Sequence, residues 1–234
     1  MSHKDEKGYP MYTKSLVVVL LASLGGVANA APPATVAMAD ASRGLVAVPS
    51  RTLDEVYVLP RANIGAYRSV MIDMPTVELQ KGWLKSMNQY RDVSRWLVPE
   101  DAQRIANDAA GAMKTAVDEA FAARGYVIAT APGDGVLRLT PTVTDLFVNA
   151  PDVPAPGIQV AIVHMEAGTA TLRLEARDAV TGALVGQVVD RDTAREVGRF
   201  DRATRVSNNF WFEAMFRQWA VNCAKEFESV KAVP

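Results

Sequence analysis

TATLRLEARDAVTGALVGQVVDRD, residues 169–192, is the stretch of the chain that decides its fold. The first half alternates apolar and polar side chains, which is the period of a β-strand with one buried and one solvated face. The apolar positions are Ala170, Leu172, Leu174 and Ala176, and the polar positions are Thr171, Arg173, Glu175 and Arg177. Asp178 and Gly182 supply turn chemistry, because aspartate bonds its own backbone and glycine accepts a positive φ. Residues 184–189 are β-rich, so the stretch predicts a hairpin.

Further strands are predicted on either side of the first helix, at residues 55–59, 67–73, 126–130 and 136–148, with an additional edge strand at 158–165. The sequence P-G-D-G at 132–135 is predicted to turn one strand back on the next. Pro141 cannot donate to a ladder, so we expect it at a sheet edge or a bulge. Residues 76–96 are predicted to form a partly ordered connection, whose Trp83 and Trp96 dock onto the core.

Two helices are predicted to cover the sheet. The first begins at Pro99, which suits the first helical position, and ends at Gly125, which suits a left-handed C-cap. Its apolar side chains recur at three- and four-residue steps: Ile105, Ala109, Ala112, Met113, Ala116, Val117, Ala120 and Phe121. The second follows a cap at Ser207 or Asn208 and carries the most aromatic stripe: Phe212, Met215, Phe216, Trp219, Ala220, Cys223 and Phe227. The sequence therefore predicts an α+β fold, with a mainly antiparallel sheet and two helices packed on one face.

The N-terminal thirty residues have the pattern of a signal peptide. Lys14 precedes a short apolar run at 16–21, and small residues follow it to an A-N-A site that ends at Ala30. The run is too short to span a bilayer as a helix. No cysteine follows the site, so the pattern predicts a cleaved, unacylated protein exported to the periplasm.

Composition divides the rest of the chain into two parts. Residues 31–52 are rich in alanine, proline and small polar residues, and are predicted to form a flexible lead-in. Residues 53–230 are predicted to form a single domain, whose one cysteine allows no internal disulfide. Both Met1 and Met11 are compatible with a translation start.

Several short motifs resemble those of an uncharacterised family of Gram-negative cell-envelope proteins, in which lipoproteins are common. The matching residues are 57–60 (YVLP), 67–73 (YRSVMID), Trp83, 125–128 (GYVI), 132–139 (PGDGVLRL) and 178–182 (DAVTG). The family is defined as a domain of unknown function, and the resemblance covers about residues 53–230. It implies an exported domain that mixes helices and strands, and it brings no catalytic residues. This chain differs from the lipoprotein members because it lacks the acylated cysteine.

Composition and motifs favour no common enzyme class. The formal net charge is -1, which gives no reason to expect nucleic-acid binding or attraction to anionic membranes. The chain has no glycine-rich phosphate loop, G-x-S-x-G, H-E-x-x-H or C-x-x-C motif. His164 is interpreted as an ordinary strand histidine, and Cys223 as part of a helix core. We therefore predict no catalytic residue, no metal site and no cofactor.

Acidic residues at the hairpin end offer the oxygen ligands that a hard cation prefers. They are Asp190 and Asp192, with Glu175 or Asp178. Arginines are interleaved with them, so a solvated rim of mixed charge is the favoured interpretation.

Five arginines mark the predicted connection before the last helix: Arg191, Arg195, Arg199, Arg202 and Arg205. Guanidinium groups at this density can hold an anionic partner through bidentate hydrogen bonds. A solvated loop, balanced by its own three acids, is the alternative and the favoured interpretation.

Three functions remain compatible with the sequence. The first is a non-catalytic interaction or accessory module of the cell envelope, which binds an envelope protein. The second is a small-ligand binder with a pocket between the sheet and the Trp83/Trp96 connection. The third is an enzyme that uses carboxylates near the hairpin, and it ranks last. The oligomeric state stays open.

Overall fold

The computed structural model describes residues 44–149, 166–195 and 205–231. Its strands are β1 (Val46–Val48), β2 (Glu55–Val58), β3 (Ser69–Ile72), β4 (Thr76–Leu79), β5 (Val127–Ile128), β6 (Val136–Val148), β7 (Glu166–Asp178) and β8 (Leu184–Arg195). Its α-helices are α1 (Trp83–Asn88), α2 (Pro99–Ala122) and α3 (Arg205–Lys231), with short 3-10 turns at Ile64–Ala66 and Val93–Arg95. No helix within the described residues is long and apolar enough to cross a membrane.

The strands form one mixed sheet in the order β1-β2-β8-β7-β6-β3-β5, and β4 also pairs with β6. Pairing is antiparallel from β1 to β6 along this order. By contrast, β3 runs parallel to β5 and β6, and β4 runs parallel to β6. The α+β class is confirmed, but the prediction of a mainly antiparallel sheet was wrong. Parallel neighbours need a long crossover, and α2 belongs to the connection from β3 and β4 to their parallel partners β5 and β6.

Residues 132–135 do not form the predicted hairpin turn. β5 and β6 lie on opposite sides of β3 and do not pair with each other. The chain passes from one side of β3 to the other, and the Gly135 oxygen accepts hydrogen bonds from the backbone nitrogens of Arg68 (3.0 Å) and Ser69 (3.3 Å). The glycine-rich sequence marks a change of direction, but it does not determine which strand becomes the neighbour.

The hairpin predicted at residues 169–192 is confirmed, and β7 and β8 both extend beyond it. Asp178 Oδ1 accepts hydrogen bonds from the backbone nitrogens of Val180 (3.1 Å) and Thr181 (2.8 Å). These bonds, with that of Thr181 contributing most, hold the pKa of Asp178 below its usual value. Gly182 has a φ of 72°, which glycine adopts without a Cβ clash.

Both long helices pack on one face of the sheet, and we call this the apolar face. Leu172 and Leu174 of β7 are buried in the same core cluster as Phe216 and Trp219 of α3. Three aromatic rings with centroids 5.5–6.1 Å apart join α2, the residue that precedes β5, and α3: Phe121, Tyr126 and Phe227. The apolar stripes of the two predicted helices are therefore buried against each other and against the hairpin.

The segment that precedes the predicted domain contains a strand of the sheet. The edge strand β1 lies within residues 31–52, which were expected to be a flexible lead-in, and it pairs with β2. Its three residues V-A-V are too few to change the average composition of that segment. The helix α3 begins at Arg205 and not after a cap at Ser207 or Asn208. The edge strand predicted at 158–165 lies outside the described residues.

The connection at residues 76–96 contains regular structure, namely β4, α1 and a 3-10 turn. Trp83 is 2% exposed, and its Nε1 donates to the Val148 oxygen at 3.0 Å. Trp96 is 50% exposed and bonds only locally, to the Arg91 oxygen. Only the first of the two predicted docking tryptophans therefore reaches the core.

Pro141 lies inside the sheet and not at the predicted edge or bulge. It pairs with Leu174 on one side, and on the other side β3 ends opposite Leu139 while β4 begins opposite Thr142. The Asp73 nitrogen donates to the Leu139 oxygen at 2.9 Å, so the nitrogen of Pro141, two residues on, faces this same side. Pro141 has no backbone N–H to donate, but it lies between the end of β3 and the start of β4, so few hydrogen bonds of the ladder are lost.

The bulge in β6 lies four residues further on. Asp145 has a φ of 52°, and the pairing with β7 shifts between Thr144 and Phe147. Gly168 faces this bulge with a φ of 152°, and a Cβ at that position would lie 1.7 Å from the Phe147 oxygen. Only glycine allows the two backbones to approach this closely.

Candidate functional site on the polar face of the sheet

The face of β6, β7 and β8 opposite the helices carries polar side chains. They are Arg138, Thr140, Thr142 and Thr144 of β6, Thr171, Arg173, Glu175 and Arg177 of β7, and Arg191 of β8. We call these nine residues the polar face. All are half-buried or exposed, whereas alternate residues such as Leu172 and Leu174 are buried in the core. The period-2 pattern of β6 and β7 therefore separates a core-forming face from one that solvent reaches. On β8, however, Gln187 and Val189 lie on the same side as Arg173 and are each only 2% exposed.

Arg138 is held by a carboxylate. Its Nε donates to both oxygens of Asp73, at 3.0 and 2.8 Å, and Thr140 Oγ1 donates to the same carboxylate at 2.6 Å. Partial burial alone would raise the pKa of Asp73, but the bonds from Arg138 and Thr140 outweigh it and lower the pKa. This arginine is therefore part of a local ion pair at the end of β3.

Arg177 is also paired, because its Nε and Nη2 donate to Glu175 Oε2 at 3.2 and 2.8 Å. Arg191 lies 3.5 Å from Glu55, measured from Nη1 to Oε1, and is 48% exposed at its side chain. Glu55 is buried and also accepts a hydrogen bond from the hydroxyl of Tyr57 at 3.1 Å. The Arg191 contact is thus the longest and loosest of the three arginine–carboxylate pairs described so far.

Arg173 differs from these three arginines, because it makes no hydrogen bond or ion pair within the described part of the chain. It stands on the central strand β7, with Thr142 opposite on β6 and Val189 opposite on β8. Arg191 lies two residues beyond Val189 on the same face, and such diagonal neighbours are about 7–8 Å apart. Two long cationic side chains can therefore converge on one ligand.

The chemistry of this arrangement is anion recognition. A guanidinium presents five donors in a planar fork that matches a carboxylate, and the hydroxyl groups of Thr142 and Thr171 stand beside Arg173. Asp73, Glu175 and Glu55 already accept bonds from side chains of the protein. The face thus offers an uncommitted cation but no uncommitted carboxylate among these three acids.

The structure places only part of the predicted arginine segment on this face. Arg191 is an exposed residue of β8 and not of a loop, and β8 continues to Arg195. Arg205 begins α3, and the side chains of Arg195 and Arg205 lie outside the described residues, as do Arg199 and Arg202 entirely. Sequence analysis missed Arg173, because strand alternation shows that it is solvated but not whether a carboxylate lies across the sheet.

The acidic residues considered for a cation site do not come together. Asp190 is 7% exposed and pairs with Leu172, so it faces α3, whereas Glu175 lies on the polar face. Asp178 belongs to the turn at the other end of the hairpin. Within the described ranges, no group of three His, Cys, Asp or Glu residues could hold a metal ion.

Asp190 is instead a buried carboxyl group beneath α3. Its Oδ1 accepts a hydrogen bond from the Asp54 nitrogen at 2.8 Å, and Asp54 Oδ2 accepts one from the Arg191 nitrogen at 3.0 Å. Burial raises the pKa of Asp190 to about 6, opposed by the Asp54 N–H and reinforced by the charges of Asp54 and Asp192. Cys223 is buried as predicted, and burial raises the pKa of its thiol.

An apolar cavity of about 60 Å³ lies between the sheet and the C-terminal half of α3. Its lining includes Val58 of β2, Leu174 of β7, Val188 of β8 and Phe227 of α3. Neither Trp83 nor Trp96 lines it, so this cavity is not the pocket predicted beside those tryptophans.

Comparison with known proteins identifies the family. A family model described as a protein of unknown function, DUF3313, matches residues 41–223. The chain belongs to this family. The resemblance to an uncharacterised domain is thereby confirmed, and no curated protein matches the DUF3313 chain in sequence.

Three solved structures are similar at low sequence identity. A PelC dodecamer from Paraburkholderia phytofirmans is 11% identical, with 74% of this chain and 94% of that chain covered and a TM-score of 0.32. Protein XCC0632 from Xanthomonas campestris, of family DUF330, is 11% identical, with 70% and 89% covered and a TM-score of 0.37. A homologue of the neuraminyllactose-binding hemagglutinin from Helicobacter pylori is 14% identical, with 70% and 91% covered and a TM-score of 0.33.

Proposed function

We propose that this DUF3313 protein is an exported, non-catalytic interaction module of the cell envelope, which binds an acidic surface of another envelope protein through its polar face. The observation that carries the proposal is Arg173. It is a half-buried arginine on the central strand without a described partner, on a face where Arg138, Arg177 and Arg191 each have a carboxylate.

The interaction energies favour a ligand that binds Arg173 and Arg191 together. A hydrogen bond to a charged group contributes about 1.5–3 kcal/mol, so one well-placed carboxylate on Arg173 changes affinity by about tenfold or more. Arg191 is 48% exposed at its side chain and lies 3.5 Å from the buried Glu55, so its other guanidinium donors can bind a ligand while it stays beside Glu55. Both interactions weaken with salt, because exposed charges are screened beyond about 10 Å at 0.1 M.

Recovery of partners from an envelope extract tests this proposal. The double variant Arg173→Gln/Arg191→Gln should recover the partner at least tenfold less than the parent at low salt. The matched control is Arg104→Gln/Arg217→Gln, which removes the same charge from two exposed helical arginines that pair only locally. Equal loss in both variants would reduce the effect to net charge, and undiminished recovery in the first would remove the role of the polar face.

The predicted contribution of the arginine segment is tested in the same experiment. A triple variant with Arg195→Gln, Arg199→Gln and Arg202→Gln tests whether this arginine segment also binds an anionic partner. If the solvated-loop alternative holds, this variant recovers partners as the parent does at both low and raised salt. A loss that adds to that of the polar-face variant would extend the binding surface to this segment.

Export is the second part of the proposal, and the sequence of the first thirty residues supports it. Intact-mass analysis of protein from the periplasmic fraction should show a chain that begins at Ala31. A protein that remains in the cytosol with residues 1–30 attached would contradict export, whatever the outcome of the binding experiment.

A further inference from the structure

The cavity beneath α3 exists because small residues meet on adjacent strands. Ala176 of β7 and Gly186 of β8 stand directly opposite each other, and both line the cavity. Phe227 and Val230 of α3 and Phe121 of α2 line it from the helix side. Two small residues of the hairpin thus lie where larger side chains would fill the space beneath the helices.

The size and lining of the cavity define what can occupy it. At about 60 Å³ it exceeds the ~10–15 Å³ that one water-sized group needs, so it has room for a few such groups. A buried water needs two to four polar partners, and this lining is almost entirely apolar. The cavity is open on one side, and Val58, Ala176 and Val230 are half-buried lining residues. The last carbons of an alkyl chain fit these conditions better than ordered water does.

A carboxylate is the charged group in the lining. Glu226 Oε1 accepts hydrogen bonds from Ser50 Oγ (2.6 Å) and Thr52 Oγ1 (3.3 Å), whereas its Oε2 accepts none from the described residues. Among the described residues, no lysine or arginine lines the cavity. Cys223 also lines it, and the charges of Asp190 and Glu226 add to the effect of burial in raising the pKa of this thiol. The described charges that act on this part of the cavity, those of Glu226 and Asp190, are therefore negative.

We propose that this cavity binds the end of an alkyl chain whose head group is positively charged, with Glu226 as the counter-ion at the rim. The site lies on the opposite side of the sheet from the polar face. It is a second binding function, independent of the protein partner proposed above.

Two probes with the same chain length and opposite head charge test the site in the purified protein. Octyltrimethylammonium should bind at least about tenfold more tightly than octanoate, because one head is attracted by Glu226 and the other is repelled. Titration followed by NMR, with the shifts confined to residues that line the cavity, measures both affinities. Equal affinity for the two probes, or no binding of either, would overturn the proposal.

Two kinds of variant test the apolar cavity and the charge at its rim separately. Ala176→Leu should fill the cavity and abolish binding of both probes, whereas Ala122→Leu on the exposed side of α2 should change neither affinity. Val230→Phe fills the same space from the helix and serves if the strand variant does not fold. Glu226→Gln should keep alkyl binding, because an amide oxygen still accepts from Ser50, and should lose the preference for the cation. A retained preference would contradict the role of Glu226.

Discussion

The two faces of β7 carry side chains from the same nine-residue stretch and have opposite tasks. Leu172 and Leu174 are 0% and 4% exposed and belong to the core beneath α3. Arg173, between them, faces the other way, is only half-buried and has no partner among the described residues. One strand therefore contributes to the core through its even residues and presents Arg173, the proposed binding group, among its odd residues.

The comparison with Arg138 and Arg177 shows what makes Arg173 distinctive. A paired arginine has already lost much of its side-chain freedom to a carboxylate of its own chain. An unpaired arginine keeps its N–H donors for an external ligand, and the bonds to that ligand offset the side-chain entropy lost when the arginine becomes ordered. Exposure alone does not distinguish the two kinds of arginine, because the paired Arg177 is half-buried just as Arg173 is.

Truncation on the apolar face should have the largest effect. Leu174→Ala removes buried methyl groups next to an existing cavity, so we expect the free energy of unfolding to decrease by about 2–5 kcal/mol. Urea denaturation followed by circular dichroism measures it. A change below about 1 kcal/mol would mean that the register of β7 is wrong.

Asp190 should give the apolar face a pH dependence of similar size. An unfolded aspartate titrates near 3.9, whereas the pKa of Asp190 in the fold is about 6. Between these values the folded protein keeps a proton that the unfolded chain has released, so stability decreases as pH rises from about 4 to 6. The full difference corresponds to about 3 kcal/mol, and solvent near the carboxyl group reduces it, so we expect a change of about 1–3 kcal/mol.

The variant Asp190→Asn tests this dependence, because an amide oxygen still accepts from the Asp54 nitrogen and does not titrate. We expect it to be more stable than the parent at pH 7, with the difference shrinking towards pH 4. Asp108→Asn, at an exposed position of α2, is the control and should follow the parent. A stability difference that stays constant across this pH range would contradict the raised pKa.

The sequence was informative where structure is local. Alternation in residues 169–177 predicts both faces of β7, and the Asp178 and Gly182 turn follows from the chemistry of those two residues. It was uninformative where partners are distant in the chain. The insertion of β3 between β5 and β6 depends on pairs such as Val70 with Leu137, which no local pattern encodes.

The same limit applies to the candidate site. Arg191 was predicted as a candidate because arginines cluster near it in the sequence. Arg173 was not, because its lack of a partner depends on acids from β2 and β3 that pair with other arginines. The cavity was also missed, since the meeting of Ala176 and Gly186 depends on the register of β7 and β8.

Removal of the Arg173 side chain should have the smallest effect on stability. Arg173→Ala breaks no described hydrogen bond or ion pair, so we expect the free energy of unfolding to change by less than about 0.5 kcal/mol. Arg138→Ala, which breaks the pair with Asp73, should lower the stability more than Arg173→Ala does. If thermal denaturation shows Arg173→Ala to be the more damaging variant, Arg173 has a structural partner.

The most direct test measures stability and binding together in neighbouring variants, Arg173→Gln and Leu174→Ala. The unfolding midpoint and the recovery of partners from envelope extract are determined for each, with recovery measured at a temperature at which both remain folded. We expect Arg173→Gln to keep the midpoint of the parent and to lose at least about tenfold in recovery. Leu174→Ala should lower the midpoint and keep the recovery. Full recovery by Arg173→Gln, at low as well as raised salt, would contradict the division of tasks between the two faces.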